Sequence, residues 1–295
     1  MAAEATILTR AAPAKVNLTL RVGLRRADGY HDIDSLVAFA GLHDVVRLAP
    51  DAPLALTVEG PTAAAAGAPE RNLVLVAARH LLDARSDLRA GHLFLTKNLP
   101  AAAGLGGGSS DAAAALRLLA DLNALPPDNP DVFAAARTTG ADVAVCLDPR
   151  ARIMRGTGDI LSAPLRLPPL PCVLVNPGVA TPTAAVFAAF DRAASTAPLE
   201  TGDIAIDLAN ERTLMSYLNR YGNDLEAPAI SLCPAIADVL EALRAQDGCR
   251  LARMSGSGAT CFGLFDAGPA RAAARSLQAR HPDWWIRESV LGDPQ

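Results

Sequence analysis

Residues 100–116, PAAAGLGGGSSDAAAAL, carry no charge before Asp111 and hardly any side chain before Leu116. They follow GHLFLTKNL (91–99), which reads as a strand ending at Leu99. They run into AAAALRLLADLNAL, where Leu118, Leu122 and Leu125 fall at i, i+4 and i+7 of a helix beginning near Ser109. Glycines at 104, 106, 107 and 108 let the backbone turn tightly and bring N–H groups close to a ligand. The helix aims its unpaired N–H groups and positive dipole end at the same point. Together they make a cradle for phosphate, formed by Pro100, Ala101, Ala102, Ala103, Gly104, Leu105, Gly106, Gly107, Gly108, Ser109 and Ser110. The same composition also describes a plain linker, but the flanking strand and helix oppose that reading.

Two familiar phosphate motifs are excluded. A Walker loop needs Lys-Ser/Thr after its final glycine, where this chain has Ser109-Ser110-Asp111. In G-x-G-x-x-G, counted from Gly104 and Gly106, the third glycine position is Ser109.

The 295 residues suit two domains, and the proline-rich APLRLPPLP (163–171) marks the boundary, giving 1–166 and 167–295. Hydrophobic residues at 51% and charged residues at 20% allow a packed core. A net charge of −4 without a basic stripe argues against a nucleic-acid partner. No signal-peptide h-region and no run of ~18 apolar residues is present, so a cytoplasmic protein without a membrane segment is expected. The five cysteines form no CxxC and read as buried reduced thiols. Of 27 basic residues only Lys15 and Lys97 are lysine, so both merit inspection.

AKVNLTLRV (14–22) alternates and predicts a half-buried strand, with Lys15, Asn17, Thr19 and Arg21 on its polar face. Asp28-Gly29 signals a turn, and 35–50 and 53–60 read as strands. Helices are expected over 72–85, started by Asn72, and over PDVFAAARTT, stopped by Gly140. The second half reads as a strand CVLVNPG, a helix after Thr181-Pro182, a polar stretch near 191–211 and a helix PAIADVLEALRAQ. A strand CRLARM, the turn SGSGAT, a strand CFGLF, a helix over 268–280 and a strand DWWIRESV follow. Strands and helices do not alternate steadily, so the class is α+β.

These motifs resemble the GHMP kinases, a family of small-molecule kinases. The resemblance is carried by PAKVNLTLRVGLRRADGYHDIDS (13–35), GLGGGSSDAA, GADVAVCL (140–147), GNDLE (222–226) and MSGSGATCF (254–262), in order along most of the chain. It implies a two-domain GHMP kinase fold with the active site in the interdomain cleft. It implies transfer of the γ-phosphoryl of ATP, assisted by Mg, to a hydroxyl of a small molecule. Within the family, the RADGYH and GLGGGSS segments are similar to a member of isoprenoid precursor synthesis whose substrate carries a cytidine diphosphate group. They argue against homoserine or mevalonate as substrate. A monomer or weak homodimer is expected.

The resemblance also implies residue roles. Asp142 falls on the catalytic aspartate that accepts the hydroxyl proton; by itself it reads as a turn aspartate between a helix and an apolar strand. Lys15 falls on the active-site lysine; by itself it is a solvated strand charge. Asn17, on the same face, would contact substrate or position Asp142. Tyr30 and His31 would lie beside the base of the substrate. Thr181, in GVATPTAAVF, is a further substrate-site candidate. Ser109 and Ser110 would bind phosphate or magnesium, or cap the helix; no metal ligand is fixed. Lys97 reads either as a strand-end charge or as a neighbour of the loop, and Asp111 would add negative charge beside the phosphates. Ser255–Gly258 reads as a hairpin turn or as a second active-site turn. Ala102-Ala103 depart from the Gly or Met common in the motif. A catalytically dead, ligand-binding relative is the competing class, opposed by the presence of both Lys15 and Asp142.

Overall fold

The computed structural model describes residues 6–193, 199, 207–266 and 268–292. In chain order its elements are β1 (Leu8–Asn17), β2 (Arg21–Arg25), β3 (His31–Pro50), β4 (Ala55–Glu59), α1 (Leu73–Ala84), β5 (Gly91–Thr96), α2 (Gly107–Leu122), α3 (Pro130–Thr139), α4 (Val143–Cys146), β6 (Arg152–Gly156), β7 (Ile160–Leu161) and β8 (Leu170–Asn176). They continue with α5 (Thr183–Ala193), α6 (Glu211–Arg220), α7 (Glu226–Leu232), α8 (Ala235–Arg244), β9 (Cys249–Met254), β10 (Cys261–Phe265), α9 (Pro269–Arg280) and β11 (Trp285–Gly292). The chain forms two compact units, each from three segments. The first comprises Met1–Ala14, Leu42–Ala101 and Gly106–Asp148; the second comprises Lys15–Gly41, Ala102–Leu105 and Pro149–Gln295. Among the described residues no helix is long and apolar enough to cross a membrane.

In the first unit β5 lies between β4, to which it is parallel, and the second half of β3, to which it is antiparallel. The parallel pair is joined through α1, because a hairpin cannot connect parallel strands. β5 alternates buried and half-buried residues, sending Leu93 and Leu95 into the core. Asn72 starts α1 by accepting from the Val74 N–H at 3.0 Å, and Asn129 starts α3 in the same way. α2 differs from expectation at both ends. It begins at Gly107 rather than near Ser109, with Gly106 in the left-handed region (φ 59°) as its N-cap, and it ends at Leu122, short of Leu125. Its buried face is built mainly from Ala112–Leu116, Leu118 and Leu119, small enough for α1 to pack against it. The expected apolar strand after Asp142 is instead the single helical turn α4. A run of four buried apolar residues has no periodicity that separates strand from helix.

In the second unit the first half of β3 is followed by β11, β8, β10 and β9, every neighbour antiparallel. β2 and β6 also pair with β3, and β6 turns back as β7. Val173, Val175, Ile236, Leu240, Leu243 and Leu277 join β8 to α8 and α9 in one core. The helices α6 and α7 and the hairpin β6–β7 had no sequence-based counterpart. α6 carries a start signal in Asn210, whose side chain accepts from the Thr213 N–H, and places Leu214 and Leu218 at i, i+4. Within 191–211, residues 194–198 and 200–206 lie outside the described residues. The predicted strand 14–22 is broken at Leu18–Thr19 and is not half-buried: Lys15, Asn17 and Thr19 are 3%, 4% and 0% exposed.

Candidate active site

The glycine-rich loop passes through both units, and its tip belongs to the second. There the tip is fixed by backbone contacts from two distant parts of the chain. The Lys15 N–H donates to the Leu105 carbonyl at 2.8 Å, and the Thr260 N–H donates to the Ala103 carbonyl at 3.1 Å. Ser255 links these parts: its hydroxyl donates to the Gly104 carbonyl (2.8 Å) and accepts from the Asn17 N–H (3.1 Å). Gly104, at φ +74°, approaches so closely that a Cβ would stand 2.2 Å from the Ser255 carbonyl oxygen. The turn SGSGAT is thus the hairpin between β9 and β10, and it is also the seat of the loop tip.

GNDLE braces that turn. The Asn223 side-chain amide donates to the carbonyls of Met254 and Gly256, both at 2.8 Å. Glu226 accepts from the Met254 N–H (2.8 Å), and Asp224 from the Val22 N–H (2.8 Å). Asn17 donates from its amide to Ser35 Oγ at 2.8 Å. Thr181 is buried with no partner for its hydroxyl, and nearby in sequence Thr183 Oγ1 lies 2.8 Å from Ser257 Oγ.

Tyr30 and His31 point into different surroundings. Tyr30 is 63% exposed. His31 is buried, with Nδ1 2.9 Å from the Gly23 carbonyl and Nε2 3.2 Å from Asp191. Its ring lies 5.1 Å from that of Phe187, tilted by 33°, and edge-on to Phe190.

In the first unit, Gly107, Gly108, Ser109 and Ser110 form the opening turn of α2. Their N–H groups are those an α-helix leaves without intrahelical partners, except that Ser110 N–H bonds the Gly106 carbonyl. Ser110 Oγ is buried without a hydrogen-bond partner. A buried orphan oxygen at a helix N-terminus suits a phosphate or a phosphate-bound cation. Among the described residues no group of three or more His, Cys, Asp or Glu side chains is arranged to hold a metal. Asp142 is half-buried and precedes α4 without capping it.

Lys97, at the end of β5, is 3% exposed. Its ammonium donates to Asp44 and, at 2.8 Å, to Asp111. Asp44 also accepts from the N–H groups of Asn98 and Leu99. Burial pushes the Asp111 carboxyl up; Lys97 pulls the other way, Asp44 adds repulsion, and the result is about 8. Asp44 had not been singled out from sequence. Its signal is register, because it shares a strand face with the buried Val46 and Leu48. Ser255 and Asn223 were present within recognised motifs, but their bonding lies in long-range contacts.

The glycine-rich loop, with its tip on the SGSGAT turn and its end in the open N-terminus of α2, presents the backbone N–H groups that phosphate binding needs. Residues 72–148 match the family model of the GHMP kinases N terminal domain and residues 205–283 that of the GHMP kinases C terminal. The chain belongs to the GHMP kinase family. It is 58% identical to the 4-diphosphocytidyl-2-C-methyl-D-erythritol kinase of Methylobacterium radiotolerans, over 97% of this chain and 99% of that one. It is 56% identical to the enzyme of that name from Xanthobacter autotrophicus, over 95% and 97%. A crystal structure of 4-(cytidine 5'-diphospho)-2C-methyl-D-erythritol kinase superposes with a TM-score of 0.77 at 37% identity, covering 97% of this chain and 99% of that one. The homoserine kinase of Cytophaga hutchinsonii shares the fold, with a TM-score of 0.72 at 19% identity over 97% and 95%.

Proposed function

We propose that the chain transfers the γ-phosphoryl of ATP to the 2-hydroxyl of 4-diphosphocytidyl-2-C-methyl-D-erythritol, a step of the non-mevalonate route to isoprenoid precursors. The observation that carries this reading is the 58% identity to a relative of that name along almost the whole of both chains.

Pro100–Ser110 would hold the phosphates of ATP through backbone N–H groups, with the dipole of α2 favouring their charge. Magnesium would be held by phosphate oxygens and the Ser110 hydroxyl, and when bound it offsets charge on the transferring group. Asp142 would accept the proton of the 2-hydroxyl as its oxygen bonds to the γ-phosphorus and the bond from that phosphorus to the β–γ bridging oxygen breaks, releasing ADP. Lys15, taken out of water on β1, would supply positive charge to the reacting groups. Asn17, two residues along, would position substrate. Tyr30, with its exposed ring, would stack on cytosine, with His31 beside the base and Thr181 contributing a hydroxyl. The nucleotide-binding half would lie within 1–166 and the second half within 167–295. The enzyme would act in the cytoplasm as a monomer or weak homodimer.

ADP release with the cytidylated alcohol, methylerythritol phosphate, homoserine and mevalonate tests the reading. Turnover confined to the cytidylated alcohol is expected. Equal turnover of the uncytidylated compound would remove the base from recognition, and none with any alcohol would leave a ligand-binding protein.

A further inference from the structure

We propose that Arg253 is a positioning residue for this reaction: its buried guanidinium holds the break that ends β1 and, through it, aims the side chain of Asn17. This rests on the functional reading above, in which Asn17 positions the substrate.

The geometry is confined to the second unit. Arg253 lies on β9 and is 8% exposed. Its Nη1 group donates to the Leu18 carbonyl and its Nη2 group to the Leu218 carbonyl, each at 2.7 Å, and both bonds are buried. A planar guanidinium can serve two acceptors at a fixed angle, which the compact ammonium of lysine cannot. Leu218 stands in the last turn of α6, where a helix leaves carbonyls without intrahelical partners and its dipole favours a cation. Glu226 adds attraction from the neighbouring α7. These groups make a cation tolerable there, out of water.

The arm on Leu18 bears on the site. β1 stops at Asn17, and Leu18–Thr19 separates it from the next paired residue, Leu20. Leu36 meets this break from β3. Its carbonyl accepts from the N–H groups of Leu18 and Thr19 at 2.8 and 3.3 Å, and its N–H donates to Thr19 Oγ1 at 3.0 Å. The peptide between Leu18 and Thr19 is thus held at both edges, by Leu36 at its N–H and by Arg253 at its carbonyl. The Thr19 carbonyl then accepts from the Ser35 hydroxyl, and Ser35 Oγ accepts from the Asn17 side-chain amide at 2.8 Å. The Asn17 amide is therefore aimed by a relay that begins at Arg253. The Asn17 backbone is fixed separately, by its N–H to Ser255 Oγ. The turn that seats the glycine-rich loop has its own braces in Asn223 and Glu226. Arg253 is left to govern the side chain of Asn17, not the nucleotide.

The test is a double-mutant cycle in steady-state kinetics with ATP and the cytidylated alcohol, using Arg253→Met, Asn17→Ala and the pair, with ADP affinity read by calorimetry. Arg253→Met keeps the stem and removes the donors. It should lower kcat about a hundredfold, the scale of a misplacement of about 1 Å, with ATP KM and ADP affinity within about twofold of the wild type. Because Arg253 acts through Asn17, the pair should be little worse than the poorer single variant. Arg253→Lys, which keeps the charge and one of the two contacts, should recover part of the loss. Additive losses in the pair overturn the proposal, as does near-normal kcat in Arg253→Met. A raised ATP KM with kcat retained also overturns it, and makes Arg253 a support of the β9–β10 turn. Full kcat in Asn17→Ala removes the target of the relay and overturns it too. If Arg253→Met does not fold, the same cycle with Arg253→Lys decides. A wild type that turns over no alcohol removes the functional reading itself, and the positioning role with it.

Discussion

Ala102 and Gly104 stand two residues apart in the loop tip, and both have positive φ, 49° and 74°. An alanine there sits in the region a Cβ disfavours by about 1–2 kcal/mol, part of which a glycine would lose again to unfolded-state entropy. Ala102→Gly should therefore raise stability by about 0.5–1 kcal/mol, read from urea unfolding, and leave nucleotide affinity alone. Gly104→Ala should do the opposite: its Cβ meets the Ser255 carbonyl at 2.2 Å, and backbone has to move. ATP KM is expected to rise at least about tenfold, and wild-type kinetics in this variant would take the loop tip out of the site. Asp142→Asn and Lys15→Met address the chemistry. Each should lower kcat by about 10²–10⁴ with little change in ADP affinity, and the double variant should be little worse than the poorer single one. Near-normal kcat in Asp142→Asn would reject the base assignment. At this scale strand parity marks two residues that the sequence reading left open or passed over. Lys97 continues the inward series of Leu93 and Leu95, as Asp44 precedes Val46 and Leu48. Lys15 was hidden by the reverse effect, since its alternating strand promised one wet face and both faces are covered.

Among elements, the β9–β10 hairpin depends on a residue outside it. Asn223→Ala would leave the Met254 and Gly256 carbonyls without this donor, at about 1–3 kcal/mol for the buried Met254 carbonyl and less for the half-buried Gly256. A lower thermal midpoint together with a raised ATP KM is expected. A lower midpoint with unchanged KM would confine Asn223 to stability. α2 adds a pH dependence. Asp111 is raised in the folded state from 3.8 to about 8, so its contribution is complete below about pH 4 and is lost as pH rises through about 8. The midpoint difference between Asp111→Asn and the wild type should thus grow in favour of the variant over that window. Helices with caps, such as α1 and α3, were legible because the start and stop signals are local. α4 was not, because four apolar residues fit either structure. The opening of α2 was displaced by two residues because glycine, read as loop, also serves where a helix needs an uncovered backbone.

For the molecule as a whole, the five cysteines give a simple check. Cys146, Cys172, Cys233 and Cys261 are buried, Cys249 is half-buried, and none of the five is in a disulfide; burial pushes the Cys172 and Cys261 thiols well up. In the native protein an aromatic disulfide reagent should titrate at most Cys249, and all five thiols after denaturation. Rapid native reaction of more than one would contradict the packing. The reading of buried reduced thiols came from composition, whereas the interleaving of three segments in each unit came from pairings that no local pattern carries. That interleaving bears on synthesis. The loop tip is made when about a third of the chain has left the ribosome, yet Ser255 and Thr260, which hold the Gly104 and Ala103 carbonyls, emerge more than 150 residues later. Until then the tip lacks its seat, so a chain that ends before Ser255 has no finished glycine-rich loop. If that loop holds ATP as proposed, the order of translation withholds nucleotide binding from any copy that ends before Ser255.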